Sequence, residues 1–206
     1  MANSSSGLQS LPSLNKVLVV GGGGREHALG WALSRCPGIH QVWVSPGNGG
    51  VPEPGGECAH GYTRLGIPET DHEGLLAHCR NEAVDLVVVG PEAPLAAGLA
   101  DRLRAAGLAV FGPGADGAQL EASKAWAKQL MQDASIPTAG HWSVRTAEEG
   151  LAVLEQVQRP LVVKADGLAA GKGVTVADTV PEAREAIEVI FSGRFGTAAG
   201  LSLIHI

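Results

Sequence analysis

The sequence predicts an α/β protein in which a doubly wound parallel-sheet N-terminal domain is followed by a second, α+β domain. Short apolar, β-branched runs alternate with helical periodicity from Lys16 to Phe111, the order that builds a parallel sheet with helices on both faces. The first run ends in four glycines, Gly21 to Gly24, directly before helical spacing begins. Beyond Pro137 the pattern changes, and two strand-like runs flank a glycine-rich loop.

Taken in order, Lys16–Val20 is the first strand and Arg25–Arg35 an amphipathic helix. Gln41–Ser45 repeats the strand signal and Leu75–Asn81 reads as a helix. Val84–Val89 is a continuous apolar run of the kind buried on both faces of a parallel sheet. Pro94–Ala106 is the next helix and Leu108–Phe111 the fourth strand, while Cys58–Thr70 carries no assignable pattern and is expected as a loop. A long helix over Ala118–Asp133 leads out of the sheet and ends near Ile136-Pro137, because proline disfavours helix in the residue before it. Strands follow at His141–Val144, Leu161–Ala165 and Val174–Ala177, with helices at Ala147–Gln158 and Pro181–Phe191.

This order divides the chain into a leader over 1–15, an N-terminal domain over 16–117 and a second domain over 118–200. The leader is Ser-rich and uncharged, so it has neither the basic start of a secretion signal nor the arginines of a transit peptide. The last residues, 201–206, form an apolar string with no evident partner. Read back into codons, that string is one translation of a sequencing-library adapter, so a non-native tail is expected.

Fifteen Lys plus Arg against twenty-one Asp plus Glu give a formal charge of -6, spread without a basic block. That argues against a nucleic-acid groove and against a polybasic membrane patch. Hydrophobic residues at 45% with 17% charged are a globular composition, and no apolar run is long enough to span a bilayer. Cys36, Cys58 and Cys79 are odd in number and form no C-x-x-C pair, which points to idle thiols in a reducing, cytoplasmic setting. Neither Cys58-x-His60 nor His78-Cys79 has zinc-finger or ribbon spacing, so no metal site is expected from them.

Gly21-Gly22-Gly23-Gly24-Arg25-Glu26-His27 stands where strand meets helix, so backbone amides and the positive helix end face any anion placed there. It is not the dinucleotide fingerprint, since Glu26 falls at the third glycine position and Ser45-Pro46-Gly47 ends the second strand without a ribose-binding acid. Ser45–Gly50 and Gly90–Leu95 also follow strands, which in a parallel sheet brings three loops to one edge. Asn48 and Glu92 are there either an amide and a carboxylate for a hydroxylated, aminated substrate or simple turn formers. His27 reads as an orienting histidine or a general base.

The segment Lys164–Val174 is similar to a phosphate-binding Walker loop but departs from it. Three residues rather than four separate Gly167 from Gly171-Lys172, Gly173 stands where a magnesium-binding Ser or Thr belongs, and a strand rather than a helix follows. A glycine hairpin over phosphates fits better, with Lys164 either a point charge for a phosphate oxygen or a solvated lysine. Lys124, on the interdomain helix, is a further candidate for the same nucleotide.

Lys16–Gly24 with Arg25-Glu26-His27-Ala28, Pro46-Gly47-Asn48, Gly90–Leu95, Ser123-Lys124 and Lys164–Val174 together resemble the phosphoribosylamine-glycine ligase (glycinamide ribonucleotide synthetase) family. The resemblance runs in register from Lys16 to about Gly196. It implies a pre-ATP-grasp N-terminal domain and the first, incomplete part of an ATP-grasp domain. The implied activity is ATP-dependent joining of glycine to phosphoribosylamine in purine biosynthesis, with Mg2+ or Mn2+ as cofactor and no nucleic-acid or membrane partner. It further implies that Lys124 and Lys164 contact ATP phosphates under a cover formed by Gly167, Gly171, Lys172 and Gly173. Gly23, Gly24, Arg25, Glu26, His27, Asn48 and Glu92 fall where the family holds the ribosylamine. The family's metal ligands lie downstream, and no Asp or Glu follows Glu188 here, so no residue of this chain is expected to bind metal or act as a catalyst and the chain alone is expected to be inactive. The readings carried beside this one are a noncatalytic nucleotide-binding module and an NAD-binding dehydrogenase domain.

Overall fold

The computed structural model describes residues 14–55, 61–157, 161–166, 173–194 and 201–204. The chain forms two compact units, Met1–Gly114 and Ala115–Ile206.

In the first unit, five parallel strands lie in the order β3-β2-β1-β4-β5, with β1 Lys16–Gly21, β2 Gln41–Pro46, β3 Tyr62–Arg64, β4 Leu86–Val89 and β5 Ala109–Phe111. Val17 to Val20 are fully buried, as are Val42, Val44 and Val87, so the central strands read as unbroken apolar runs because both of their faces are covered. The cover is α1 Gly24–Leu33, α2 His72–Glu82, α3 Glu92–Ala96 and α4 Leu99–Ala105. Asp71 starts α2 by accepting the Gly74 N–H at 2.9 Å, and Ala83 ends it in the left-handed conformation.

Two expectations are corrected here. The unassigned stretch Cys58–Thr70 contains β3, a three-residue edge strand paired to β2, too short to show alternation. The single helix expected over Pro94–Ala106 is two, because Gly98 at φ 82 interrupts it between α3 and α4.

In the second unit, an antiparallel sheet of order β6-β9-β7-β8 comprises β6 His141–Val144, β7 Leu161–Ala165, β8 Val174–Ala177 and β9 Leu201–Ile204. Helices α7 Ala147–Val157 and α8 Val180–Val189 bury one face: Leu154, Leu161, Val163, Ala177, Ala183 and Ile187 are 0–1% exposed. Alternation then puts Val162 and Lys164 on the opposite face. α8 runs on into a π-helical turn over Ile190–Arg194.

The helix expected over Ala118–Asp133 is α5 Ala115–Ala122 and α6 Lys124–Asp133, parted at Ser123, whose hydroxyl accepts the Trp126 N–H at 3.1 Å. The apolar string expected to lack a partner supplies β9, which pairs antiparallel with β6 on one side and β7 on the other. It lies between β6 and β7 in the sheet.

Candidate functional site

Parallel pairing of β1, β2 and β4 sends all three following loops out at one edge of the first unit's sheet. They are stitched together by hydrogen bonds. The Gly47 N–H donates to the Gly21 carbonyl at 3.3 Å, and Asn48 Nδ2 reaches the carbonyls of Gly22 and Gly23 at 3.2 and 3.3 Å. Asn48 Oδ1 accepts the Gly50 N–H at 3.0 Å, so this amide spans two of the loops. Arg25 Nη2 donates to the Gly90 carbonyl, which joins the first loop to the third.

Glu26 is the hub of this arrangement. The residue is 3% exposed, and its carboxylate accepts the Gly23 N–H at 3.0 Å and Arg25 Nε–H at 2.7 Å. Arg25 itself stays open, with a side chain 62% exposed. The hydrogen bond and charge of Glu26 hold the guanidinium pKa above its ordinary value, and the Glu92 carboxylate adds to that pull. Glu92 opens α3 and Gly24, Arg25 and Glu26 open α1, so with Gly23 and Asn48 they lie in the loops and first helical turns of the same edge. The His27 ring stands against Gly50, where a Cβ would collide with it, and the His27 carbonyl accepts the Tyr62 hydroxyl at 3.2 Å.

The second unit carries the lysines. The backbone N–H of Lys124 donates to Asp166 Oδ1 at 2.6 Å, and Ser123 Oγ donates to Asp166 Oδ2 at 3.1 Å. Asp166 directly follows β7, so this carboxylate ties the start of α6, with Lys124, to the end of the strand that carries Lys164. Lys164 pairs with Val174 across the β7–β8 hairpin, and the Ala165 N–H donates to the Gly173 carbonyl at 2.7 Å. A strand after the glycine loop is incompatible with a Walker loop, which needs a helix there. Gly167, Gly171 and Lys172 lie outside the described residues.

Two basic groups carry no signal in the sequence: Lys128, which feels the charge of Lys164, and His141, which feels that of Lys128. Lys128 is 9% exposed and donates to Thr138 Oγ1 at 2.6 Å and the Ala139 carbonyl at 3.0 Å. Burial, then the Lys164 charge, lower its pKa. His141 is lowered by burial and by Lys128. The helical spacing of Lys128 gave no sign of burial, whereas Ser123 and Asp166 carried a local signal as capping residue types. Arg64 was also missed: from the end of β3 it donates to the Pro46 carbonyl at 2.9 Å and pairs with Glu53, which holds the second crevice loop. Among the described residues no group of three or more His, Cys, Asp or Glu side chains could hold a metal ion. No helix among them is long and apolar enough to cross a membrane.

Comparison with known proteins matches residues 15–121 to the family described as phosphoribosylglycinamide synthetase, N domain, and residues 122–205 to phosphoribosylglycinamide synthetase, ATP-grasp (A) domain. A phosphoribosylamine–glycine ligase of Nostoc is 51% identical over 190 residues, 92% of this chain and 44% of the relative. The crystal structure of the ligase of that name from Thermotoga maritima superimposes with TM-score 0.71 at 29% identity, over 93% of this chain and 44% of that one. The biotin carboxylase domain of a Hydrogenobacter thermophilus 2-oxoglutarate carboxylase, at TM-score 0.68 and 18% identity over 95% of this chain and 45% of that one, shares the fold. The chain thus spans about 44% of the length of the relatives it matches.

Proposed function

The chain belongs to the phosphoribosylglycinamide synthetase family, and from that membership we propose that it serves the ATP-dependent ligation of glycine to 5-phosphoribosylamine. The products are glycinamide ribonucleotide, ADP and phosphate, a step of de novo purine biosynthesis in the cytoplasm. The observation that carries the reading is the succession, on one chain, of an N domain with a three-loop crevice and an ATP-grasp segment with a lysine-bearing glycine hairpin.

In this reading a glycine carboxylate oxygen attacks the γ-phosphorus of ATP and the bond to the β-phosphate oxygen breaks, which gives an acyl phosphate and ADP. The amine of phosphoribosylamine then attacks the carbonyl carbon, loses a proton, and phosphate leaves. Little covalent work falls to the protein, so positioning and charge neutralisation dominate. Lys124 and Lys164 supply cations for the ATP phosphates, with Gly167, Gly171, Lys172 and Gly173 as the cover. Gly23, Gly24, Arg25, Glu26, His27, Asn48 and Glu92 form the ribosylamine side. A divalent cation, Mg2+ or Mn2+, supplies charge neutralisation when bound, and its ligands are assigned to no residue of this chain. A dinucleotide is disfavoured at the crevice, because the Glu26 side chain fills the space between Gly21, Gly23 and Gly90.

The test is phosphate release from ATP by the full-length gene product. Release that requires both glycine and phosphoribosylamine is expected. Release without phosphoribosylamine, or none with all three substrates, overturns the reading.

A further inference from the structure

Glu26 sits in a socket that only glycines can form. A Cβ at Gly21, at Gly23 or at Gly90 would collide with its side chain, and these glycines come from the end of β1, the turn after it and the loop after β4. Both carboxylate oxygens are occupied, one by the Gly23 N–H and the other by Arg25 Nε. With 3% of the residue exposed, this carboxylate has little surface to offer a ligand.

Its influence runs through Arg25. A free arginine side chain samples many rotamers, and fixing one costs binding energy unless the protein has already done so. Here Nε is held by Glu26 and Nη2 by the Gly90 carbonyl, so two of the five guanidinium N–H groups set the orientation and the others remain for an anion. The Gly90 N–H in turn donates to the Val20 carbonyl at 3.1 Å, which seats the third loop on β1.

We propose that Glu26 is a positioning residue of the crevice: it holds the glycine turn and the Gly90 loop in the arrangement that aims Arg25 at an anionic substrate, and it does so without touching that substrate. This rests on the reading of the crevice as the phosphoribosylamine site. It also separates Glu26 from Arg25 in role, although the two are adjacent in sequence.

Ribose 5-phosphate is the probe, titrated calorimetrically into the 206-residue chain, with amide hydrogen exchange followed in the ligand-free protein. E26Q keeps the volume but turns an N–H donor toward Arg25 or Gly23. The expected result is a loss of affinity of about tenfold, the scale of one charge-assisted hydrogen bond, with faster exchange at Gly23 and Gly90. R25A should lose a similar factor, and R25A with E26Q no more than R25A alone, because Glu26 acts through Arg25. Additive losses overturn the proposal, since a direct contact or a general weakening of the unit would persist without Arg25. G90A is the second variant: its Cβ displaces the carboxylate while leaving the charge, and it should reproduce the E26Q loss. Unchanged affinity in G90A overturns the proposal as well. If ribose 5-phosphate fails to bind the unaltered chain, the reading of the crevice falls, and exchange still decides on Glu26: unchanged Gly23 and Gly90 exchange in E26Q overturns it.

Discussion

Replacing Asp166 by alanine removes the acceptor for the N–H groups of Lys124 and Ala125 and for the Ser123 hydroxyl in one step. The start of α6 then has only Ser123 as a cap, and a loss of roughly 1–2 kcal/mol is expected from the second unit. Urea unfolding, with exchange at the Lys124 amide, reads it; an unchanged Lys124 exchange rate would refute the assigned role. His78 bears on pH. Its Nε2 is buried without a partner among the described residues, and its ring meets Trp43 edge-on at 4.8 Å. Burial lowers its pKa from the ordinary 6.5, against the smaller pull of Glu82 in the other direction. The unfolded chain therefore takes up a proton that the folded chain refuses, so stability is full above the ordinary value and drains as pH falls through the lowered one. H78F is expected to flatten the first unit's stability as pH falls below the ordinary 6.5, measured as the urea midpoint; parallel loss in H78F and the unaltered chain would refute this. The Gly23-x-x-Glu26 spacing is that of a helix start closed by its own glutamate, and was open to reading from sequence. The contact of Glu26 with Gly90 was not, since it depends on two strands lying side by side.

At the scale of elements, legibility followed burial. β1, β2 and β4 are wholly or largely buried and show as unbroken valine-rich runs, whereas β3 is three residues, Tyr-Thr-Arg, at a sheet edge. The breaks at Gly98 and Ser123 were visible as residue types, yet helical periodicity on both sides hid them. The β9 run is an apolar string with no alternation to reveal a partner sixty residues back. Since β6 pairs only with β9 among the described residues, deletion of residues 201–206 should leave β6 unpaired and β7 with an open edge. The expected outcome is a lower urea midpoint for the second unit and exposure of β6 amides, with the first unit's transition unmoved. A second-unit midpoint equal to that of the full chain would show that β9 adds nothing.

For the whole molecule, a chain spanning about 44% of its relatives' length is expected to release no phosphate above background with ATP, glycine and phosphoribosylamine. The full-length gene product, assayed beside it, should turn over; comparable turnover by both would mean that the transferring phosphoryl group is neutralised by residues of this chain. The position of β9 also governs synthesis. The first unit, which ends at Gly114, leaves the ribosome before the second. In the second, β6 emerges early and must wait for Leu201–Ile204 before it has a neighbour. At roughly 5–20 residues per second, that leaves an interval of several seconds in which a bare strand edge is exposed to other nascent chains and open to chaperones.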